Sequence, residues 1–416
     1  MNLIKTSFYT SISTGITFLS GFVITKVVAV KIGPEGMAYY GQFANTTSLL
    51  ATLGTGAITV GVTKYLAQYS GNSSKQQSVI NAAFIMVLTA SLIVSAFTIS
   101  CSRILSIAAF KTADFWIVYL VYGFCITAIS LNLIFLAILN GLKRIKHLTI
   151  VNITSSILGM VSMIITAHFW GLTGVLINSS IVGVVMMCIN VIMFRKLNIR
   201  WKLNFHLFDR ATGKKLLAFS LMAIVSGFVT PVMQIMVRNR IINTISLQDA
   251  GYWQAVTRIS DYYLAFITSV LTVYYMPRLS ELTDRTDIKK EIRFGYKMIL
   301  PVVCALSISI WLLKGLIIHI LFTPDFEGMR ELFAFQLIGD FLKMGSWLLS
   351  FLMLAKAMTK TFIITEISFG ASFVILSYVF INLYGVIGAT YAFALNYLIY
   401  WVIMELIVRR YLREKQ

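Results

Sequence analysis

Acidic residues are scarce in this chain. There are 16 Asp+Glu against 35 Lys+Arg in 416 residues, and charged residues of all kinds make up 12%. A soluble globule needs more polar surface than this to wet its exterior, and disordered chains need more still. Cysteine and histidine are nearly as sparse. Cys101, Cys125, Cys188 and Cys304 fall singly in or beside apolar runs, so neither a disulfide framework nor a zinc site is implied. His147, His168, His206 and His319 are equally scattered and suggest no ligand cluster or triad. No P-loop is present to bind nucleotide, and no cofactor is expected.

What the chain has in abundance is apolar surface: 58% of its residues are hydrophobic, with a mean hydropathy of +0.82. Lipid as solvent accommodates that surface. A helix crossing the hydrocarbon core needs about 20 apolar residues, because nothing in lipid satisfies free backbone groups. The net charge of +19 invites a nucleic-acid reading, but in so apolar a chain it is better explained as loop charge that sets membrane orientation. No nucleic-acid partner is expected. The first apolar run is too long for a signal-peptide core and lacks a convincing cleavage site, so it reads as a retained first helix.

Apolar stretches fall near 8–30, 39–62, 79–101, 115–139, 148–168 and 171–194, then near 217–241, 252–276, 295–318, 331–354, 361–383 and 385–408. The reading is all-α and integral to the membrane, with twelve transmembrane helices. The shortest connections, Phe169–Trp170–Gly171 and Asn382–Leu383–Tyr384–Gly385, are expected to be hairpin turns. Lys and Arg concentrate in alternate connections, among them Lys143, Arg144 and Lys146, then Arg285, Lys289, Lys290 and Arg293, and finally Arg409, Arg410, Arg413 and Lys415. The other set is poor in them, holding for example Lys31, Arg103 and Lys111. This asymmetry puts both termini in the cytoplasm of a multi-pass protein.

The longest polar interruption, 195–216, is a basic cytoplasmic linker between an N-terminal lobe (1–194) and a C-terminal lobe (217–416). Six helices per half make the halves parallel repeats about an axis along the membrane normal. Ala38-Tyr39-Tyr40-Gly41-Gln42 resembles Gly251-Tyr252-Trp253-Gln254. Aligning Gln42 with Gln254 sets an offset of 212, at which Lys26 meets Arg238.

An ionisable side chain inside a span costs about 2.5–3.5 kcal/mol on insertion scales, so it usually faces a cavity or a partner. The candidates are Lys26, Arg238, Arg258, Asp261, Asp340, Lys343, Glu366 and, near the last helix end, Glu405. Arg258 with Asp261, and Asp340 with Lys343, have the i,i+3 spacing that lets each pair meet on one helix face. Mutual neutralisation for packing is the plain reading; a charge network that changes during transport is the functional one. Lys26 and Arg238 have no acid within a turn on their own helices. Snorkelling is the plain reading for Lys26, and contact with a phosphate-bearing cargo the functional one. Tyr39, Tyr40, Gln42, Asn45, Tyr252, Trp253, Gln254, Tyr262, Tyr263, Tyr274 and Tyr275 crowd two spans. Aromatic faces and amides suit a glycan path, although an interfacial aromatic belt accounts for most of them individually. Pro231 should kink its helix or supply a hinge.

Several stretches carry a resemblance: Val28-Ala29-Val30-Lys31-Ile32-Gly33-Pro34, Val62-Thr63-Lys64-Tyr65-Leu66-Ala67-Gln68-Tyr69, Ile259-Ser260-Asp261-Tyr262-Tyr263, and Phe335-Gln336-Leu337-Ile338-Gly339-Asp340-Phe341-Leu342-Lys343. The chain resembles, along its whole length, the Wzx-type polysaccharide-unit flippases of the multidrug/oligosaccharidyl-lipid/polysaccharide exporter superfamily. That resemblance implies two six-helix lobes around a central cationic cavity, alternating access driven by a proton or sodium gradient, and residence in the bacterial inner membrane. The implied cargo is an undecaprenyl-diphosphate-linked oligosaccharide, either an O-antigen unit or the enterobacterial common antigen unit, lipid III. Membrane lipids and other membrane proteins of polysaccharide assembly would be its partners. A drug/cation exporter or a peptidoglycan lipid II flippase of the same superfamily is the alternative, and a membrane glycan polymerase a more distant one. A cavity for cationic drugs would favour acids over bases, and a polymerase would carry a large periplasmic catalytic loop.

Overall fold

The computed structural model describes residues 3–197 and 209–413. Most of the basic linker expected at 195–216 therefore lies outside the described residues. Among the described residues the chain is helical, with no strand. The first part holds α1 (Leu3–Gly54), α2 (Thr59–Gln68), α3 (Ser73–Ser100), α4 (Ser102–Phe110), α5 (Trp116–Gly141) and α6 (Ile145–Lys196). The second holds α7 (Arg210–Thr244), α8 (Leu247–Val270), a π-helical turn (Leu271–Tyr275), α9 (Met276–Glu281) and α10 (Arg285–Leu321). A 3₁₀ segment (Pro324–Leu332), α11 (Phe333–Ala355), α12 (Thr359–Tyr384) and α13 (Ile387–Arg413) complete it. Eight helices among the described residues are long and apolar enough to cross a membrane, so the protein is a multi-pass membrane protein.

Two of those helices are about twice the length a bilayer requires. α1 and α6 each run 52 residues, and each is interrupted by a glycine with positive φ, Gly33 (66°) and Gly171 (51°). At Gly171 the chain doubles back. Asn178 donates to the Gly159 carbonyl at 3.4 Å, whereas a straight helix would hold those residues far apart. A Cβ on Gly174 would lie 2.0 Å from the Thr166 carbonyl oxygen, so only glycine permits this approach. The reversal at Gly33 follows from packing. The first half of α1 runs alongside the first half of α6, through Thr17 with Ser156 (2.8 Å) and Lys31 with His168 (3.5 Å). Its second half runs alongside α5, where Tyr122 donates to the Thr47 carbonyl at 3.0 Å and Phe43 packs on Tyr119.

Turn details recur down the chain. Lys143 (φ 55°) and Ala357 (φ 52°) stand 214 residues apart, and both follow a helix with the same pair of hydrogen bonds. In the first turn Lys143 and Arg144 donate to Asn140 and Leu139; in the second Ala357 and Met358 donate to Leu354 and Met353. Gly171 and Gly385 stand at the same offset, both with positive φ. So do Gly174 and Gly388, the latter against the Phe380 carbonyl at 2.0 Å. Sequence reading placed the hairpins at these two points. Its span boundaries shift elsewhere: α1 stops at Gly54, and Gly56 and Ala57, both at positive φ, turn the chain into a separate α2.

Two compact units are present: Met1–Ile32 with Tyr39–Pro231, and Gly33–Ala38 with Val232–Gln416. The division therefore falls inside α7, at Pro231. The N-terminal stretch of α7 packs with the first unit, with Leu216 in a core of Val62, Phe84, Phe135 and Phe194.

Candidate functional site

The charged residues of the second unit lie on facing helices. Gln254, Arg258 and Asp261 follow one another on α8 at i, i+4 and i+7, a single face of the helix. α11 repeats that spacing with Gln336, Asp340 and Lys343, and α11 packs against α8, α10 and α13. Ser246 starts α8 by accepting from the Asp249 backbone N–H at 3.0 Å, which fixes the register of that polar face.

Asp340 is fully buried. Its carboxylate accepts from the Tyr263 hydroxyl at 2.8 Å and from Gln336 Nε2 at 3.3 Å, and Tyr263 also meets Ser307 of α10 at 3.4 Å. Ion pairing of Asp340 with Lys343, which the i,i+3 spacing suggested, is not what forms. Lys343 Nζ lies instead over Trp347 (4.8 Å), Tyr397 (5.8 Å) and Phe393 (6.0 Å). Three rings from α11 and α13 offer the half-buried ammonium more contact than one carboxylate already held by Tyr263 and Gln336. Glu366 of α12 faces Tyr400 and the Lys343 charge. Asp261 is exposed and faces the charges of Lys343 and Arg258. Arg258 lies over Tyr262 at 5.9 Å. Three acids and two cations from α8, α11 and α12 thus form one network.

Arg238 departs from its expected place. As a phosphate-facing cation it should reach a wet cavity, but it is fully buried. Its guanidinium donates to Gln254 Oε1 and lies 5.4 Å over the Trp253 ring. Both partners are neighbours on α8, and just before them Gly251 lets α8 approach the Pro34 carbonyl to within backbone contact. In this structure the Arg238 guanidinium is thus held by Gln254 and Trp253 of α8. Lys26, which the sequence offset of 212 aligns with it, is placed differently. Lys26 is exposed, with no hydrogen bond, ion pair or ring contact to a described residue, while Gln42 is fully buried. Pro231 is buried inside α7.

The sequence marks Tyr263 and Trp253 as members of a glycan path or an aromatic belt, and does not single out Trp347, Phe393, Tyr397, Tyr400, Gln336 or Ser307. The usable signal for Gln336 was its i,i+4 and i,i+7 relation to Asp340 and Lys343. For the residues of α13 there was none, since their relation to α11 exists only in the packed unit.

Comparison with known proteins fits this architecture. The family described as polysaccharide biosynthesis protein matches residues 3–283. The Lipid III flippases of Escherichia coli (strain K12) and Shigella flexneri are each 30% identical over 409 residues, covering 96% of this chain and 97% of theirs. An inward-facing multidrug resistance MATE family transporter of the MOP superfamily superposes with TM-score 0.80 at 14% identity, covering 95% of this chain and 94% of its own. The lipid II flippase MurJ, in an inward closed conformation, superposes with TM-score 0.76 at 18% identity, covering 98% and 87%. At such identities the likeness is one of fold. By sequence, the chain belongs to the polysaccharide biosynthesis protein family.

Proposed function

We propose that this protein is a flippase that carries an undecaprenyl-diphosphate-linked oligosaccharide from the cytoplasmic to the periplasmic leaflet of the bacterial inner membrane. The observation that carries this reading is the end-to-end match to proteins named Lipid III flippase. In this reading the long helices α1 and α6 each supply two spans, giving twelve in two six-helix repeats (1–194 and 217–416) joined by the basic linker at 195–216. The turn details shared by Lys143 and Ala357, and by Gly171 and Gly385, support that repeat. The Lys and Arg distribution supports cytoplasmic termini.

Transport proceeds by alternating access, with α7 flexing at Pro231, where the two compact units divide. Lys26, exposed and uncommitted to any described residue, is the cation offered to the diphosphate; Arg258 is a second. Gln42 belongs to the first unit and supports the path rather than the cargo. Asp261, Asp340, Glu366 and Lys343 form the ion-coupling network, where ionisable groups are costly to keep and are retained for function.

Complementation tests this reading. Expressed in strains lacking individual polysaccharide flippases, the protein restores surface glycan where the lipid III flippase is missing. Failure to restore any glycan, with the protein present in the membrane at normal level, overturns it.

A further inference from the structure

The charge network holds a cation that no described acid meets at ion-pair distance. Asp261 on α8, Asp340 on α11 and Glu366 on α12 all act electrostatically on Lys343. Yet no described carboxylate oxygen lies within ion-pair distance of its ammonium; the ion pairs formed are all elsewhere. Trp347, Tyr397 and Phe393 hold Nζ at 4.8, 5.8 and 6.0 Å from their ring centroids. A compact point charge is thus fixed among three acids by ring faces.

With the Lys343 ammonium among them the acids do not converge. Among the described residues no group of three acidic, histidine or cysteine side chains can hold a metal ion. A hard cation in such a site needs about six oxygen ligands at about 2.4 Å. A proton needs a single lone pair. The groups facing the network are Arg238 from α7, Arg258, Asp261, Tyr262 and Tyr263 from α8, Ser307 from α10, Asp340 from α11, Glu366 from α12, and Tyr397 and Tyr400 from α13. Asp261 is exposed, and the Tyr263 hydroxyl, which also meets Ser307, donates to the buried Asp340.

We propose that Lys343 is a built-in counter-cation. Its tethered ammonium takes the place a free alkali cation would need among Asp261, Asp340 and Glu366, so the network exchanges protons and does not bind sodium. This rests on the ion-coupled transport reading above and selects between its two ions.

The test is thermal unfolding of the purified full-length protein in sodium chloride against choline chloride at equal ionic strength. Wild type gives the same midpoint in both salts. Lys343→Met, with the tethered charge gone and its stem replaced, gains a sodium-specific rise of a few degrees. Lys343→Arg remains indifferent to sodium. Sodium-specific stabilisation of wild type, or a folded Lys343→Met that ignores sodium, overturns the proposal. Where Lys343→Met does not fold, the wild-type comparison decides. Because the readout is binding, it stands apart from complementation, which tests the flippase reading itself.

Discussion

At the scale of single residues, Asp340 defines what the membrane interior asks of a carboxylate. It is fully enclosed, and its oxygens are held by Tyr263 and Gln336 rather than by a cation at contact distance. Asn at that position keeps an acceptor for Tyr263 but cannot change its charge. Asp340→Asn is expected to leave membrane level and thermal midpoint nearly unchanged while gradient-driven translocation falls about tenfold or more, the size of an ordinary coupling energy. Unimpaired translocation in vesicles would make Asp340 a packing residue. Arg238 requires the opposite pattern. Its loss removes a charge-assisted bond to Gln254 worth about 1.5–3 kcal/mol, so Arg238→Ala lowers stability first and transport as a consequence. Arg238→Lys keeps the charge but not the planar stack on Trp253 and falls between. Lys26→Ala, at an exposed position, is expected to spare stability and impair export. The identity of these residues was legible from the cost of charge within apolar runs. Their roles were not: Arg238 and Lys26 look equivalent at an offset of 212 in sequence, and only the neighbours on α8 make one a buried brace and the other an exposed cation.

At the scale of elements, glycine placement separates structural turns from passive positions. A Cβ on Gly174 or Gly388 would meet a carbonyl oxygen at 2.0 Å, whereas one on Gly159 meets nothing within 4 Å. Gly174→Ala and Gly388→Ala should each cost about 1–3 kcal/mol from forced overpacking. Gly159→Ala should be neutral or stabilise by about 0.4–1 kcal/mol. Thermal unfolding of the three variants in one detergent checks the ranking. Outside the spans, Asp284 caps α10 by accepting from the Thr286 N–H and hydroxyl, each at 2.6 Å. These bonds hold its carboxyl below the ordinary carboxylate value. Its contribution is therefore present at neutral pH and lost as pH falls through that depressed value. Amide exchange in the first turn of α10 should quicken there, and Asp284→Ala should quicken it at neutral pH. Hairpin turns were readable because Gly171 and Gly385 close short connections between apolar runs. The two apolar runs near 8–30 and 39–62 lie on the two arms of α1, on either side of the kink at Gly33. The π-helical turn at Leu271–Tyr275 left no mark in an apolar stretch that fits any helix.

At the scale of the molecule, two compact units divide at Pro231, and matching turn details recur at Lys143 and Ala357 and at Gly171 and Gly385. Orientation is a claim at this scale. In a chain stripped of its four cysteines, Ala113→Cys is expected to react with an impermeant thiol reagent from outside the cell, and Arg144→Cys only after lysis. The reverse pattern would invert the protein. α8 failed the apolarity expected of a span because its face carries Gln254, Arg258 and Asp261. The central claim is translocation of a lipid-linked oligosaccharide, and proteoliposomes test it most directly. With undecaprenyl-diphosphate-linked saccharide in one leaflet, the reconstituted protein should speed its appearance in the other, and an imposed proton gradient should speed it further. Transfer no faster than in empty vesicles, with a cationic dye carried instead, would contradict the account.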